Sequence, residues 1–116
     1  MRRLFLFFIL IIVLTSGNKH EYIRKGDNVN GEIVYVKTGN YIRKGNNPFG
    51  EIVYNIDNNK VREKQNINGR VLFVIDGDKI REGDNINGTV IYTIDGNRIR
   101  QGNNKYGKVI FVLTIY

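Results

Sequence analysis

The sequence predicts an all-β protein built from five β-hairpin repeats of 19 residues each, and three observations lead to this class. Each unit contains a run of β-branched and aromatic residues followed by turn-forming residues, as expected of a hairpin. Loop glycines recur with a constant step, without insertion or deletion: Gly31, Gly50, Gly69, Gly88 and Gly107. An arginine after an Ile or Val recurs with the same step: Arg24, Arg43, Arg62, Arg81 and Arg100. A fixed period of roughly 20 residues indicates a repeat architecture in which each copy buries its apolar face against its neighbours.

Within a unit, the first strand ends at a tight turn. Asp95-Gly96 suits a two-residue type I′ hairpin turn, in which both central residues have positive φ, and Asp76-Gly77 and Asn58-Asn59 serve the same purpose. This turn predicts that Ile94 pairs with Asn97, that Thr93 lies opposite Arg98, and that Tyr92 lies opposite Ile99.

The alternation of side chains along a strand predicts the two faces of the sheet. Val90, Tyr92, Ile94 and Ile99 share one side, which is the better candidate for the core. The opposite side is mixed and half solvated, with these members: Ile91, Thr93, Arg98 and Arg100.

The loops between units are rich in Gly and Asn, which tolerate left-handed backbone. An apolar residue recurs in them, as Val29, Ile67 and Ile86, or one residue later as Phe49 and Tyr106. We expect each loop to tuck one such side chain inward. Lys64 replaces the glycine that begins the other loops, and it predicts a locally altered turn.

The two ends of the repeat region are complementary halves of one unit, because Tyr22 to Gly26 is a second strand and Gly107 to Tyr116 is a first strand. Five hairpins could form a ring closed by these terminal strands, a parallel β-solenoid or an open meander. A solenoid would stack the five arginines about 4.8 Å apart. A ring spreads them apart and removes exposed strand edges, so the closed ring is the prediction and the solenoid its alternative.

Units of the form [IVY]-I-R-x-G-x-N-x-x-G-x-V-I-Y-x-I-D-G resemble the short hairpin repeats of uncharacterised exported bacterial proteins and, more loosely, β-flower domains. The resemblance covers Tyr22 to Tyr116. It implies a radial or stacked hairpin fold, and it implies no activity and no functional residues. Lys64 and the pair Asn58-Asn59 depart from the pattern.

The N-terminus has the layout of a secretory signal peptide. Arg2 and Arg3 precede an apolar run from Leu4 to Leu14, and small residues follow up to Gly17. We therefore predict a leader over residues 1–17, a repeat domain over residues 18–116, and a secreted, periplasmic or cell-envelope location. An uncleaved membrane anchor is the alternative, although the run is shorter than the roughly 20 residues that a spanning helix needs.

The composition argues against catalysis. After the leader there is no Cys and no Ser, and the one histidine, His20, lies near the new terminus. Nucleophilic catalysis needs an activated Ser, Cys or Thr beside a base, so we expect no enzyme and no cofactor. Cys/His metal sites are excluded by composition. Calcium at loops such as Asp27 to Gly31 and Asp84 to Gly88 is an alternative with the wrong spacing for an EF-hand.

The formal net charge of +7 and the repeated arginines indicate a cationic surface. Arginine forks recognise phosphate, sulfate or carboxylate, and several copies add avidity. The candidate ligand-binding residues are Arg24, Arg43, Arg62, Arg81 and Arg100. The predicted function is a non-catalytic structural or binding module for acidic glycans or other anionic ligands, with nucleic acid disfavoured and membrane contact only through an uncleaved leader. The alternative is a self-assembling surface or fibre protein.

Overall fold

The structure is a computed structural model that describes residues 20–115, so the predicted leader over residues 1–17 lies outside the described residues. The described chain forms ten β-strands. Their bounds are β1 Glu21–Lys25, β2 Ile33–Thr38, β3 Tyr41–Lys44, β4 Ile52–Asp57, β5 Lys60–Glu63, β6 Val71–Asp76, β7 Lys79–Glu82, β8 Val90–Asp95, β9 Arg98–Gln101 and β10 Val109–Ile115. Residues 20–115 contain no helix long and apolar enough to cross a membrane.

The strands close into an antiparallel barrel in which every strand pairs with its neighbours in sequence and β1 pairs with β10. The closing pair runs in regular register from Glu21 opposite Ile115 to Lys25 opposite Phe111. The prediction of a ring closed by the terminal strands is therefore confirmed, and the solenoid and open meander are wrong. Two of the three principal extents are equal, at 34 × 34 × 25 Å, as expected for a ring of five equivalent units.

The two predicted Asp-Gly turns lie one residue later than predicted. Asp95 pairs with Arg98, so the two-residue loop is Gly96-Asn97. Gly96 has φ +63°, whereas Asn97 has no positive φ, which is the pattern of a type II′ turn. The predicted pairing of Ile94 with Asn97 is thus wrong, and Ile94 lies opposite Ile99. Asn58-Asn59 is the predicted loop, with positive φ at both residues as type I′ requires.

The ring has an inner face lined by one aromatic residue from each unit: Tyr35, Tyr54, Phe73, Tyr92 and Phe111. The ring centroids of Tyr35 and Tyr54 are 6.1 Å apart, and those of Tyr35 and Phe111 are 6.3 Å apart. These residues sit two strands apart, which is roughly 9.5 Å in a flat sheet, so the rings converge and the face is concave. The register places Tyr92, Ile94 and Ile99 on this face, as predicted for the core.

The loops fold back over the outer face of the sheet. They cover one small or branched residue in each unit, which is why these outward residues are among the most buried of the chain: Val36, Asn55, Val74, Thr93 and Val112. The Thr93 hydroxyl donates to the Gly102 carbonyl at 2.7 Å and accepts from the Asn104 amide at 3.2 Å. The outer face is thereby shielded from solvent by main chain rather than by apolar side chains.

The loops do not tuck apolar side chains inward, and that prediction is wrong. Phe49 and Tyr106 are 88% and 89% exposed, and Val29, Ile67 and Ile86 are also exposed. The loops are held by their own polar groups instead. In the second loop, for example, the Asn47 side chain accepts from the Phe49 amide at 2.9 Å, and the Gly50 amide donates to the Asn47 carbonyl at 2.9 Å.

Lys64 does not alter its turn, contrary to expectation. Each loop begins with a left-handed residue, and Lys64 adopts φ +58° where Gly45 and Gly83 have +76°. The Lys64 amide donates to the Val53 carbonyl at 2.8 Å, and the Gly45 amide makes the equivalent bond to Val34. The main-chain hydrogen bond therefore imposes the conformation, even on a residue with a side chain.

Two buried residues of opposite charge, Glu21 and Lys37, lie on the inner face beside the closing seam. Glu21 is 1% exposed, pairs in register with Lys37, and leaves its Oε1 without a hydrogen-bond partner among the described residues. The Lys37 ammonium donates to the Gly39 carbonyl at 2.7 Å. Burial raises the pKa of Glu21 and lowers the pKa of Lys37, and the attraction between the two charges opposes both shifts.

Candidate functional site

The five predicted arginines bind the loops of their own units. In each unit the Nη1 of the arginine donates to the carbonyl of the loop glycine seven residues later, at 2.8 or 2.9 Å. The Nε points to the residue at the end of the preceding strand, which is Asp76 for Arg81 at 3.1 Å and Thr38 for Arg43 at 3.1 Å. Each arginine is therefore a clamp between a strand and the loop that covers it.

The same clamp operates across the closing seam. The Arg24 Nε donates to the Thr114 hydroxyl at 3.1 Å, although the two residues lie at opposite ends of the chain. Thr114 occupies the same position in its unit as Thr38 and Asp76, so it is the equivalent partner for Arg24 when the chain closes into a ring. The ring is thus continuous in its side chains as well as in its backbone.

The structure spaces the five arginines around the ring and gives each guanidinium an internal partner. The side chains of Arg62, Arg81 and Arg100 are between 19% and 24% exposed. Asp76 and Asp95, expected from the sequence to be turn residues, accept from Arg81 and Arg100. The role of the arginine column in binding an anion stays a prediction, and its role in the fold is visible in every unit.

A second repeated contact joins neighbouring units. The Lys60 ammonium lies 3.1 Å from Asp84, and the Arg98 Nε donates to Asp27 at 2.8 Å across the seam. In both pairs a cation near the hairpin end of the outer face meets an acid in the loop of the next unit. The pairs also occupy the two carboxylates that made Asp27 and Asp84 candidate calcium ligands. No group of three or more His, Asp or Glu side chains within residues 20–115 is arranged to hold a metal ion.

At the equivalent position of another unit the salt bridge is replaced by a pocket. Tyr41 stands where Lys60 and Arg98 stand in their units, and Gln65 stands where Asp84 and Asp27 stand, so no ion pair forms. A cavity of about 270 Å³ opens there on the outer side of the ring. Its walls are formed by Thr38, Gly39, Asn40, Tyr41, Asn55, Ile56, Asp57, Gln65 and Ile67.

Two side chains of the pocket, Asn55 and Tyr41, are held by contacts with the surrounding chain. Asn55 is 6% exposed, and its amide nitrogen donates to the Lys64 carbonyl at 2.9 Å and to the Asn66 carbonyl at 3.2 Å. Its Oδ1 is then the remaining polar atom of that side chain. The guanidinium carbon of Arg43 lies 5.9 Å from the centre of the Tyr41 ring, which is within the range of a cation–π contact.

The clamp beside the pocket is looser than its equivalents. The Arg62 Nε is 3.4 Å from the Asp57 carboxylate, against 3.1 and 3.0 Å for the pairs at Arg81 and Arg100. The buried Arg62 Nε makes no hydrogen bond within the described part of the chain. The Asp57 carboxylate, which lines the pocket, is therefore held less tightly than Asp76 or Asp95.

The residues that break the repeat gather at this pocket. Asn55 replaces a residue that is Val or Thr in the other four units, and Gln65 replaces a residue that is Asp or Asn. Both line the cavity, and the carbonyl of Lys64, the one non-glycine in its column, accepts a hydrogen bond from the Asn55 side-chain amide. Gln65 meets Tyr41 of the preceding unit at this pocket because the loop folds back over the sheet.

The comparisons with known proteins identify the fold family. A family model described as "6-fold beta flower protein" matches residues 19–115. No curated protein and no solved structure matches the chain. The described residues form five hairpins, one fewer than the family description counts, with the fifth assembled from the two terminal strands. The matched range covers the whole described ring, and this chain therefore belongs to the 6-fold beta flower protein family.

Proposed function

We propose that this protein is an exported, non-catalytic binding module that holds a saccharide unit in the pocket beside Tyr41. The observation that carries the proposal is the concentration of repeat-breaking residues at one of five equivalent positions. The other four units fold with Val or Thr in place of Asn55 and with Asp or Asn in place of Gln65, so the scaffold does not require either residue. Their selection at the pocket is explained if they contact a ligand.

The chemistry of the walls fits a sugar. Tyr41 offers an aromatic face, whose negative quadrupole attracts the partly positive C–H groups of a pyranose ring. The Asp57 carboxylate can accept hydrogen bonds from hydroxyl groups, and the side-chain amides of Asn55, Gln65 and Asn40 supply further acceptors and donors. Pockets that bind small ligands combine an apolar wall with a few convergent polar groups, and Ile67 and Ile56 complete that wall here.

The test uses substitutions that restore the repeat rather than damage it. The double variant Tyr41→Lys/Gln65→Asp recreates the Lys60–Asp84 pair and fills the pocket. Asn55→Val gives the residue found at Val36 and Val74. Because each substitution brings in a residue that the same scaffold carries elsewhere, we expect both variants to fold. Binding to a panel of neutral and acidic oligosaccharides is measured by calorimetry and by glycan array.

We expect each variant to weaken binding of the best oligosaccharide by about 10-fold or more, the loss of one well-placed contact being worth about 1.4 kcal/mol. The matched control is Lys79→Arg, which keeps the charge at the equivalent position of another unit and should leave binding unchanged. Equal affinity in the wild type and both variants would remove the pocket from the proposal. Binding that is lost at high salt and in Arg43→Gln, but kept in Asn55→Val, would instead support the arginine column.

Export and the lack of catalysis are parts of the same proposal. They are supported by the signal-like residues 1–17 and by the poverty of nucleophiles after them. N-terminal sequencing of protein recovered from cells that express the full chain tests the first part. A new terminus at Asn18, in protein found outside the cytoplasm, is expected. Intact protein that begins at Met1 and remains in the cytoplasm would contradict it.

A further inference from the structure

The barrel has a mouth at the end where the long loops begin, and a ring of charged side chains surrounds it. The last residues of the odd-numbered strands form this ring, which we call the rim: Lys25, Lys44, Glu63, Glu82 and Gln101. Glu63 is half-buried and the other four are exposed. The rim is on the inner side of the sheet, because each member lies in register opposite one of the aromatic residues of the barrel.

The rim charges are separated around the ring rather than mixed. In cyclic order the members are lysine, lysine, glutamate, glutamate and glutamine, each one-fifth of a turn from the next. One side of the mouth is therefore positive and the opposite side is negative. The floor between them is formed by half-buried aromatic rings such as Tyr35 and Phe111.

This cyclic order of charges is self-complementary: a reflection of the ring through Gln101 exchanges every lysine position with a glutamate position. Reflected about Gln101, the position of Lys25 coincides with that of Glu82, and the position of Lys44 coincides with that of Glu63. When a two-fold axis brings two mouths face to face, the units of the second ring, seen from the first, follow one another in the opposite rotational direction. The two rims are then superimposed in the way that this reflection describes. No other register of five positions places every lysine over a glutamate.

We propose that the mouth is an interface between two copies of this chain, related by a two-fold axis through Gln101. In this arrangement Lys25 of each ring lies over Glu82 of the other, and Lys44 lies over Glu63. An isologous interface requires such a self-complementary pattern. Aromatic rings beneath a charged rim also match the usual anatomy of interfaces, an apolar centre with a polar edge.

A second column of residues matches the same two-fold axis at one of its three contacts. The exposed residues immediately before the even-numbered strands are Glu32, Glu51, Arg70, Thr89 and Lys108. The two-fold axis that matches the rim places Glu32 over Arg70, and it places Lys108 over the neutral Thr89. Glu51 lies on the axis and meets its own copy, which is a repulsion that a single substitution removes.

The interface is independent of the saccharide pocket, because the rim is on the inner side of the sheet and the pocket is on the outer side. The experiment measures the oligomeric state of the protein recovered from cells that express the full chain, by sedimentation velocity across the micromolar range. We expect a dimer whose dissociation constant rises about 10-fold or more between low and high salt, because the exposed ion pairs are screened. Glu51→Gln is expected to tighten the dimer.

Two charge-reversed variants test whether the rim forms the interface. Lys25→Glu/Lys44→Glu makes the rim acidic, and Glu63→Lys/Glu82→Lys makes it basic. Each variant alone should sediment as a monomer, whereas an equimolar mixture should form a heterodimer, since every glutamate then faces a lysine. Circular dichroism checks that both variants keep the β fold.

The proposal is overturned if the wild type is monomeric at all concentrations and salt levels. It is also overturned if either variant alone dimerises as the wild type does, or if the mixture stays monomeric. A wild-type dimer that survives high salt and both reversals would place the contact elsewhere on the ring.

Discussion

Removal of one arginine clamp should destabilise the ring, and Arg81→Met gives the cleanest measurement. Arg81 donates to the Gly88 carbonyl at 2.9 Å and to the Asp76 carboxylate at 3.1 Å, with 24% of its side chain exposed. A hydrogen bond from a charged group contributes about 1.5–3 kcal/mol. The carboxylate is 40% exposed, so solvent screening holds the ion pair to roughly 1 kcal/mol or less.

The expected loss in free energy of unfolding is therefore about 2–4 kcal/mol, or roughly 10–20 °C in melting temperature for a domain of this size. Urea and thermal unfolding followed by circular dichroism measure it, and hydrogen exchange should show the Gly88 loop opening first. Asp76→Asn separates the ion pair from the carbonyl bond and should cost no more than about 1 kcal/mol.

The matched control is Lys105→Met, which removes one positive charge from an exposed loop residue. It should change stability by no more than about 0.5 kcal/mol. If the free energy of unfolding of Arg81→Met lies within the same margin of about 0.5 kcal/mol from the wild type, the clamp does not stabilise the fold. The arginines would then be surface cations without a structural role.

Two further predictions concern backbone strain and the buried charges of Glu21 and Lys37. Lys64→Gly should raise the free energy of unfolding by about 1 kcal/mol, because a non-glycine residue at φ +58° carries a left-handed penalty of about 1–2 kcal/mol. Gly83→Ala should lower the free energy of unfolding for the same reason. A thermal melt in which Lys64→Gly is less stable than the wild type would contradict this prediction. Lys37→Met should cost about 3–5 kcal/mol at neutral pH, since it leaves Glu21 charged and buried, and Glu21→Gln/Lys37→Met should recover most of that loss. The pKa of folded Glu21 is raised above 4.5, so the folded state holds the proton more tightly than the unfolded state. The stability of Lys37→Met should therefore fall as the pH rises above about 4.5, and it should return on acidification. Urea unfolding of the wild type, Lys37→Met and Glu21→Gln/Lys37→Met is measured from about pH 4 upward, an interval that includes the ordinary pKa of about 4.5. A difference in stability between Lys37→Met and the wild type that does not change with pH would refute the coupling of Glu21 to Lys37.

The ring itself could be predicted from the sequence, since constant spacing and complementary ends left little choice of closure. The turn register was missed by one residue because Asp-Gly and Gly-Asn both suit two-residue hairpin turns. The 19-residue period indicates the correct turn, because it aligns Asn58-Asn59 with Gly96-Asn97 and not with Asp95-Gly96. The shift left the faces of the sheet unchanged, because each strand keeps its own alternation.

The loops and the pocket could not be read from the pattern in the same way. An apolar residue in a polar loop usually indicates burial, yet the space over the outer face is filled by loop main chain that the arginines hold. Val29 and Ile86 are consequently left exposed. The pocket needs Tyr41 from one unit and Gln65 from the next, and only the folded loop brings these columns together.

Variation among the five units separates the scaffold from the surfaces it carries. A Cβ at Gly88 would lie 2.6 Å from the Glu82 carbonyl oxygen, and one at Gly107 would lie 2.5 Å from that of Gln101, so the glycine column cannot change without moving main chain. The arginine bonded to that glycine is equally constant. The rim and the Tyr41 column occupy equivalent backbone positions in every unit, yet they hold lysine, arginine, glutamate, glutamine or tyrosine. Since the backbone does not require particular residues there, their order around the ring can be selected for binding to a partner. The order of charges in the rim is the one that complements a second copy of the same ring.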